Sequence, residues 1–287
     1  MNALTEHRSA SGIYYRCYGR EQAHSALILC HGLASNSSRW HELASQISMP
    51  EGWFVLCPDL RGHGRSQWRG RLTSKRWMDD LVEIIESEQL ETTVVGGHCM
   101  GANLAIRFGL AHPGHCDGLM LVEPMLPQAR TGKMHVKSVL RWVLPWIGLS
   151  ALAVNMLGIH RREMPVLDLS ELDRKTRQAM AEEGNDQAMT SRYASPLPDL
   201  QYISTTAYMQ ALTETLKRVP PLDAITQPAL CLISSGGMFG DPDLTEKALK
   251  TIPHAENHRL QARHWIPTEQ PEALKERTEA WLLTHFG

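Results

Sequence analysis

The sequence predicts an α/β protein: a mostly parallel central sheet flanked by helices, with a helical cap inserted between two strands. Short apolar runs bounded by turn residues alternate with helical patterns along most of the chain, which is how parallel strands with crossover helices read. The alternation lapses once, between about Met125 and Leu222, where helix patterns and prolines continue without a convincing strand. With 287 residues, 43% hydrophobic and 21% charged, the chain is large enough for one substantial core and such an insertion.

The elements follow in order. A hairpin including Ile13–Cys17 opens the chain, and strands are expected at Ala26–Cys30, Trp53–Cys57, Thr92–Val95, Gly118–Val122, Ala229–Ser234 and Asn257–Gln261. Helical patterns cover Arg39–Ile47, Trp77–Ser87, Gly101–Ala111, Thr245–Thr251 and Pro271–Phe286. The expected division is a core of residues 1–124 and 223–287 with a cap of residues 125–222. A cap so inserted lies over the carboxyl ends of the strands, where open α/β sheets place their sites.

Composition narrows the function classes. A net charge of -2 leaves no electrostatic footprint for nucleic acid or an anionic membrane. The 14 histidines are scattered without metal-ligand spacing, and no phosphate-cradling or dinucleotide-binding glycine pattern occurs, so no metal or cofactor is expected. Of six cysteines, Cys30, Cys57 and Cys231 sit inside strand-like runs, where cysteine acts as a small hydrophobe. The polar stretch Met1–Ser11 has no apolar signal core, and a reduced, cytoplasmic setting is expected. The run Trp142–Ile159 is nearly long enough to span a membrane, but Pro145 and Gly148 interrupt it. It reads as buried lid helices over an apolar pocket.

The chemistry concentrates at Gly97-His98-Cys99-Met100-Gly101, between a strand and a helix. That spacing is a nucleophile elbow with cysteine where serine is usual. A side chain on so sharp a turn needs small residues two before and two after it, and the helix N-terminus favours a thiolate. Earlier, Cys30-His31-Gly32-Leu33 turns sharply after its strand, so the Leu33 amide can join that of Met100 in a two-donor oxyanion hole. His31 itself reads as a brace for that loop.

His-Gly-x, then Asp59-Leu60-Arg61-Gly62-His63-Gly64-Arg65-Ser66, then Gly-x-Cys-x-Gly, in this order, resembles the α/β-hydrolase superfamily over nearly the whole chain outside the cap. The resemblance implies the α/β-hydrolase fold, a bracing role for Arg61–Ser66, and a general base late in the chain. His264, in Ala262-Arg263-His264-Trp265-Ile266-Pro267 ahead of Glu269 and Pro271, takes that position ahead of His254 and His258. The superfamily's acid usually stands after the strand corresponding to Ala229–Ser234, in the pattern Gly, two residues, Asp. Here Phe239 occupies that offset from Gly236. Asp241 fits a slightly longer loop, Glu123 offers an alternative at the end of Gly118–Val122, and Asp243 reads either as the acid or as a helix cap.

A thiolate at the elbow attacks esters, thioesters and lactones through a covalent acyl intermediate. The expected function is therefore hydrolysis of such a substrate through acyl-Cys99. The alternatives are an acyltransferase using the same intermediate and a non-catalytic ligand-binding protein on this scaffold. Cap residues Met125, Met134, Trp142, Trp146, Met156 and Leu157 suit an apolar wall, so a small hydrophobic acyl substrate is expected as partner, with no nucleic acid and no membrane contact.

Overall fold

The computed structural model describes residues 1–131, 146, 148, 150, 153, 164–183 and 196–287. Eight strands form one sheet in the order β1-β2-β4-β3-β5-β6-β7-β8. β1 (Leu4–Arg8) and β2 (Tyr14–Tyr18) make the expected N-terminal hairpin, and β2 meets β4 (Trp53–Pro58) antiparallel. β3 (Ser25–Cys30), β5 (Thr92–His98), β6 (Gly118–Val122), β7 (Ala229–Ser234) and β8 (Ala255–Leu260) continue the sheet in parallel with β4.

The central strands are buried on both faces, as parallel strands under two helical layers must be. Alternate residues divide between the layers. Ala26, Ile28 and Cys30 of β3 join one apolar core, and Leu27 and Leu29 join the other. On the first face lie α2 (Ser74–Ser87), which buries Trp77, Leu81, Ile84 and Ile85, and α3 (Met100–Ala111). On the second lie α1 (His41–Gln46) and α7 (Pro271–Phe286), which buries Leu274, Trp281 and Leu282. The spacing of the apolar residues in α2, four then three apart, is what turns one face inward.

Several boundaries differ from the sequence expectation for local reasons. α2 begins three residues early because Thr73 caps it, its hydroxyl accepting the Arg76 amide at 3.2 Å. The pattern at Arg39–Ile47 splits into a tight turn, Ser37–Trp40, followed by α1. β8 starts two residues early, since an edge strand paired only to β7 tolerates the polar residues that masked its start.

The chain order fixes where a site can form. After β3 it crosses to β4 on one side, then returns to β5 on the other side of β3. A crevice opens at such a reversal, outside the carboxyl ends of β3 and β5. The loop Cys30–Leu33 and Cys99 both stand there.

Between β6 and β7 the described residues hold α4 (Leu169–Glu183), α5 (Thr205–Leu216) and a short turn, Pro196–Asp199, and no strand. α5 buries Ala207, Tyr208, Ala211, Leu212 and Leu216 in the same apolar core as α2 and α3. α4 is tied down by charge instead. Arg39 pairs with Asp173 and donates to Thr268 Oγ1 at 2.6 Å, while Arg177 pairs with Glu42 at 2.7 Å and donates to the Thr268 carbonyl at 3.1 Å. Most of the run Trp142–Ile159 lies outside the described residues. Among the described residues, no helix is long and apolar enough to cross a membrane, and no group of three or more potential ligands is placed to hold a metal.

Candidate active site

Cys99 occupies the joint between β5 and α3 with φ 54° and ψ -107°, a conformation that strains any residue with a side chain. Strain of this kind costs about 1–3 kcal/mol and persists only where the surroundings enforce it. Here they do. The Cys99 amide donates to the Val122 carbonyl at 2.9 Å, and its own carbonyl accepts the Asn103 amide at 3.1 Å. The flanking glycines are sterically required: a Cβ on Gly97 would stand 2.5 Å from the Cys30 carbonyl oxygen, and one on Gly101 only 2.2 Å from it.

The loop after β3 lies against this joint. A Cβ on Gly32 would be 3.7 Å from Cys99 Cβ and 3.3 Å from His98 Nδ1. His31 braces the loop as the sequence suggested: its Nε2 accepts the Leu60 amide at 3.0 Å, and Nδ1–H donates to the Gly32 carbonyl at 2.8 Å. Burial drives its pKa down to about 4, so the ring is neutral. Asp59 accepts the amides of Ser37 at 2.7 Å and Arg65 at 2.6 Å, and Arg61 forms a buried two-pronged pair with Asp80. The segment Arg61–Ser66 is thus a scaffold. Leu33 follows Gly32 in this loop, and Met100 opens α3, where an amide has no carbonyl one turn back.

β5 and β6 bring the next group. Their register pairs His98 with Val122, so Cys99 and Glu123 leave neighbouring strands at the same level. Glu123 too is held at positive φ, 50°, with its amide donating to the Leu232 carbonyl at 2.9 Å. Its carboxylate is shared: Oε1 accepts the Ser234 amide, and Oε2 lies 3.0 Å from His264 Nδ1. Cys99 is the other group that bears on the His264 ring, acting on it by hydrogen bonding and charge as Glu123 does. Cys99, His264 and Glu123 therefore form one row, with Cys99 9% and His264 4% exposed.

The electrostatics of the row favour a charged imidazole. Burial alone would depress His264, but hydrogen bonds to Cys99 and Glu123 and the charges of both outweigh it, raising the pKa from 6.5 to about 10. Such a row can draw the proton from a thiol, hold it, and deliver it to a leaving group.

Asp241, the acid expected from the loop after β7, is engaged elsewhere. Its Oδ1 accepts the amides of Asp243 at 2.9 Å and Leu244 at 3.0 Å, capping α6 (Pro242–Leu249). Asp243, which read as acid or cap, pairs with Arg259 on the surface. Phe239 stands where the resemblance placed an aspartate, and packs edge-on against the His264 ring with centroids 4.7 Å apart. Met125 is buried and lines a small cavity with Glu123, Phe239 and His264. Trp146 is 69% exposed, a surface position rather than the pocket wall expected of it. Trp142, Met134, Met156 and Leu157 lie outside the described residues.

Three supporting residues gave weaker sequence signals. Glu269 accepts the amides of Arg263, His264 and Trp265 at 2.9, 3.1 and 2.8 Å, holding the backbone that carries the base. Ser234 Oγ donates to the Arg263 carbonyl at 3.0 Å. His98 reaches the carbonyl of His264 itself at 2.9 Å. A glutamate five residues after a candidate base was a usable hint; the other two contacts join residues too distant in sequence to suggest each other.

This fold and crevice define an α/β hydrolase. A solved enol-lactonase from Burkholderia xenovorans LB400 superimposes with a TM-score of 0.67, covering 97% of this chain and 100% of that one at 17% identity. Residues 21–270 match the family model for serine aminopeptidase, S33, and the chain belongs to that family. Human monoglyceride lipase is 27% identical over 169 residues, 55% of this chain and 55% of the relative. An sn-1-specific diacylglycerol lipase of Danio rerio is 31% identical over 107 residues, 37% of this chain and 34% of the relative. The matched stretches thus span about half, or less, of these relatives' length.

Proposed function

We propose that this chain is a hydrolase of carboxylic esters, thioesters or lactones with a hydrophobic acyl group, working through an acyl-Cys99 intermediate. The row Cys99–His264–Glu123 carries the reading, above all the 3.0 Å contact between His264 Nδ1 and Glu123 Oε2. His264 takes the thiol proton, the thiolate attacks the carbonyl carbon, and the alcohol or thiol leaves with that proton. Water, activated in turn by His264, releases the acid and restores the thiol. Glu123 fixes the ring orientation and stabilises the imidazolium, the part an aspartate plays in serine triads.

The Leu33 and Met100 amides serve as the oxyanion hole, each contributing about 3 kcal/mol to lowering the barrier. Their position beside Cys99, on the Gly32 loop and at the first turn of α3, supports this assignment. Residues 125–222 act as the cap, and Met125 meets the acyl group. The lipase relatives favour a lipophilic ester over a charged metabolite. The setting is cytoplasmic, in keeping with six cysteines that are all free and buried.

Turnover of a panel of p-nitrophenyl esters and acyl thioesters, with product analysis in the presence and absence of added alcohols, tests the reading. Release of free acid at a rate independent of the alcohol supports hydrolysis. An acceptor-dependent rate with negligible free acid turns the assignment to acyl transfer, and no turnover across the panel overturns it.

A further inference from the structure

We infer that His98 is a positioning residue for the base: its imidazole fixes the distance between the main chain of the nucleophile and the main chain of His264. This rests on the acyl-Cys99 reading above and adds a component to it.

His98 is the last residue of β5 and immediately precedes Cys99, so its backbone is part of the strained joint. Its side chain crosses to the opposite loop, where Nε2 meets the His264 carbonyl oxygen at 2.9 Å. A carbonyl only accepts, so the Nε2 hydrogen is the donor. The two imidazoles are packed together, with centroids 4.8 Å apart and planes at 51°. On its other side His98 lies against Gly32, where a Cβ would come within 3.3 Å of Nδ1. The ring is 5% exposed, and burial with the neighbouring His264 charge holds it well below the ordinary histidine pKa, in the neutral form a single Nε2–H donor requires.

The geometry around His264 explains why this bond matters. Its amide is held by Glu269 at 3.1 Å, its Nδ1 by Glu123 at 3.0 Å, and the preceding carbonyl by Ser234 at 3.0 Å. Those three anchors belong to the loop's own turn, to β6 and to β7. His98 alone among the four comes from the strand that carries the nucleophile. It ties residue 99's own segment to residue 264's peptide, so a change there alters the reach between sulfur and imidazole without touching either. A misplacement of about 1 Å between reacting groups lowers rates about 10²-fold.

Three substitutions separate positioning from simple packing. His98→Gln places an amide nitrogen where imidazole Nε2 stands, His98→Asn places it nearer Nδ1, and His98→Met fills similar space with no donor. Assayed on a p-nitrophenyl ester that the enzyme turns over, with folding checked by thermal melting, kcat is expected to fall about 10²-fold in His98→Met and His98→Asn. KM should change less than about threefold, and His98→Gln should recover at least tenfold of the lost kcat. Equal kcat in the Gln, Asn and Met variants, or a loss confined to KM, overturns the inference. If His98→Met does not fold, the Gln and Asn pair decides alone. Cys99→Ala and Glu123→Gln run in parallel distinguish the two readings. Full activity in those variants sinks the acyl-cysteine reading and this one with it; their inactivation beside unaffected His98 variants sinks this inference only.

Discussion

Glu123 and His264 are 141 positions apart in sequence, yet Glu123 Oε2 sits 3.0 Å from His264 Nδ1 while its other oxygen accepts the Ser234 amide. The carboxylate is thus oriented from β7 before it meets the imidazole. Placing the acid at the end of β6 leaves the usual position, in the loop after β7, to an aromatic ring: Phe239 packs perpendicular to the His264 imidazole with centroids 4.7 Å apart.

The first expectation separates these two acids. Glu123→Gln should lower kcat by about 10⁴, as loss of the orienting carboxylate does in serine triads, with little change in melting temperature. Asp241→Asn should retain turnover, and Asp241→Ala should lose about 1 kcal/mol of stability by uncapping α6. Steady-state kinetics and thermal denaturation of the three variants check the assignment, which fails if Asp241→Asn is the slow one.

The pH dependence follows from His264. Its folded pKa, raised to about 10, lies above the 6.5 of the unfolded chain. Its contribution to stability is therefore fully present below pH 6.5 and lost as pH rises toward 10. In catalysis the imidazolium supplies the leaving-group proton, so kcat/KM should hold through neutral pH and fall on an alkaline limb near 10. Removing the Glu123 charge withdraws part of what raises the pKa, so in Glu123→Gln the limb should move to lower pH. A limb that stays in place would argue against the contact.

The two elbow glycines carry a steric expectation. Gly101→Ala puts a Cβ 2.2 Å from the Cys30 carbonyl, a backbone atom that cannot rotate away. The loss should reach about 3 kcal/mol or abolish folding, as overpacking against rigid surroundings does. Gly114→Ala, where no atom lies within 4 Å, is the control and should melt like the parent protein.

α4 offers a test of how the inserted segment is held. Arg39→Met removes the buried guanidinium that pairs with Asp173 and should lose about 3–5 kcal/mol. The double variant Arg39→Met/Asp173→Leu should recover much of that, because both charges of the pair are then gone. Additive losses in the cycle, measured by chemical denaturation, would show that the pair is not coupled.

Much of this architecture was legible in the chain. The strand runs were found within two or three residues, because both-face burial forces unbroken apolar runs of the kind seen from Ala229 to Ser234. Cys99 and Gly101 were legible because the turn tolerates few alternatives. The acid was not settled, since Glu123 and Asp241 both follow a strand and precede a proline, and only the register of β5 with β6 places Glu123 level with Cys99. Asp241 had a local duty, capping, that sequence spacing does not distinguish from catalysis. The contact of His98 with the His264 carbonyl joins positions 166 apart and has no local signature at all.

The thiol remains the centre of the account, and intact-mass measurement during turnover addresses it directly. Enzyme quenched while hydrolysing an acyl thioester should carry a mass increase equal to the acyl group minus one hydrogen, with the adduct mapped to Cys99 and missing in Cys99→Ala. Turnover at full rate by Cys99→Ala, or an adduct that persists in that variant, would contradict the acyl-cysteine mechanism.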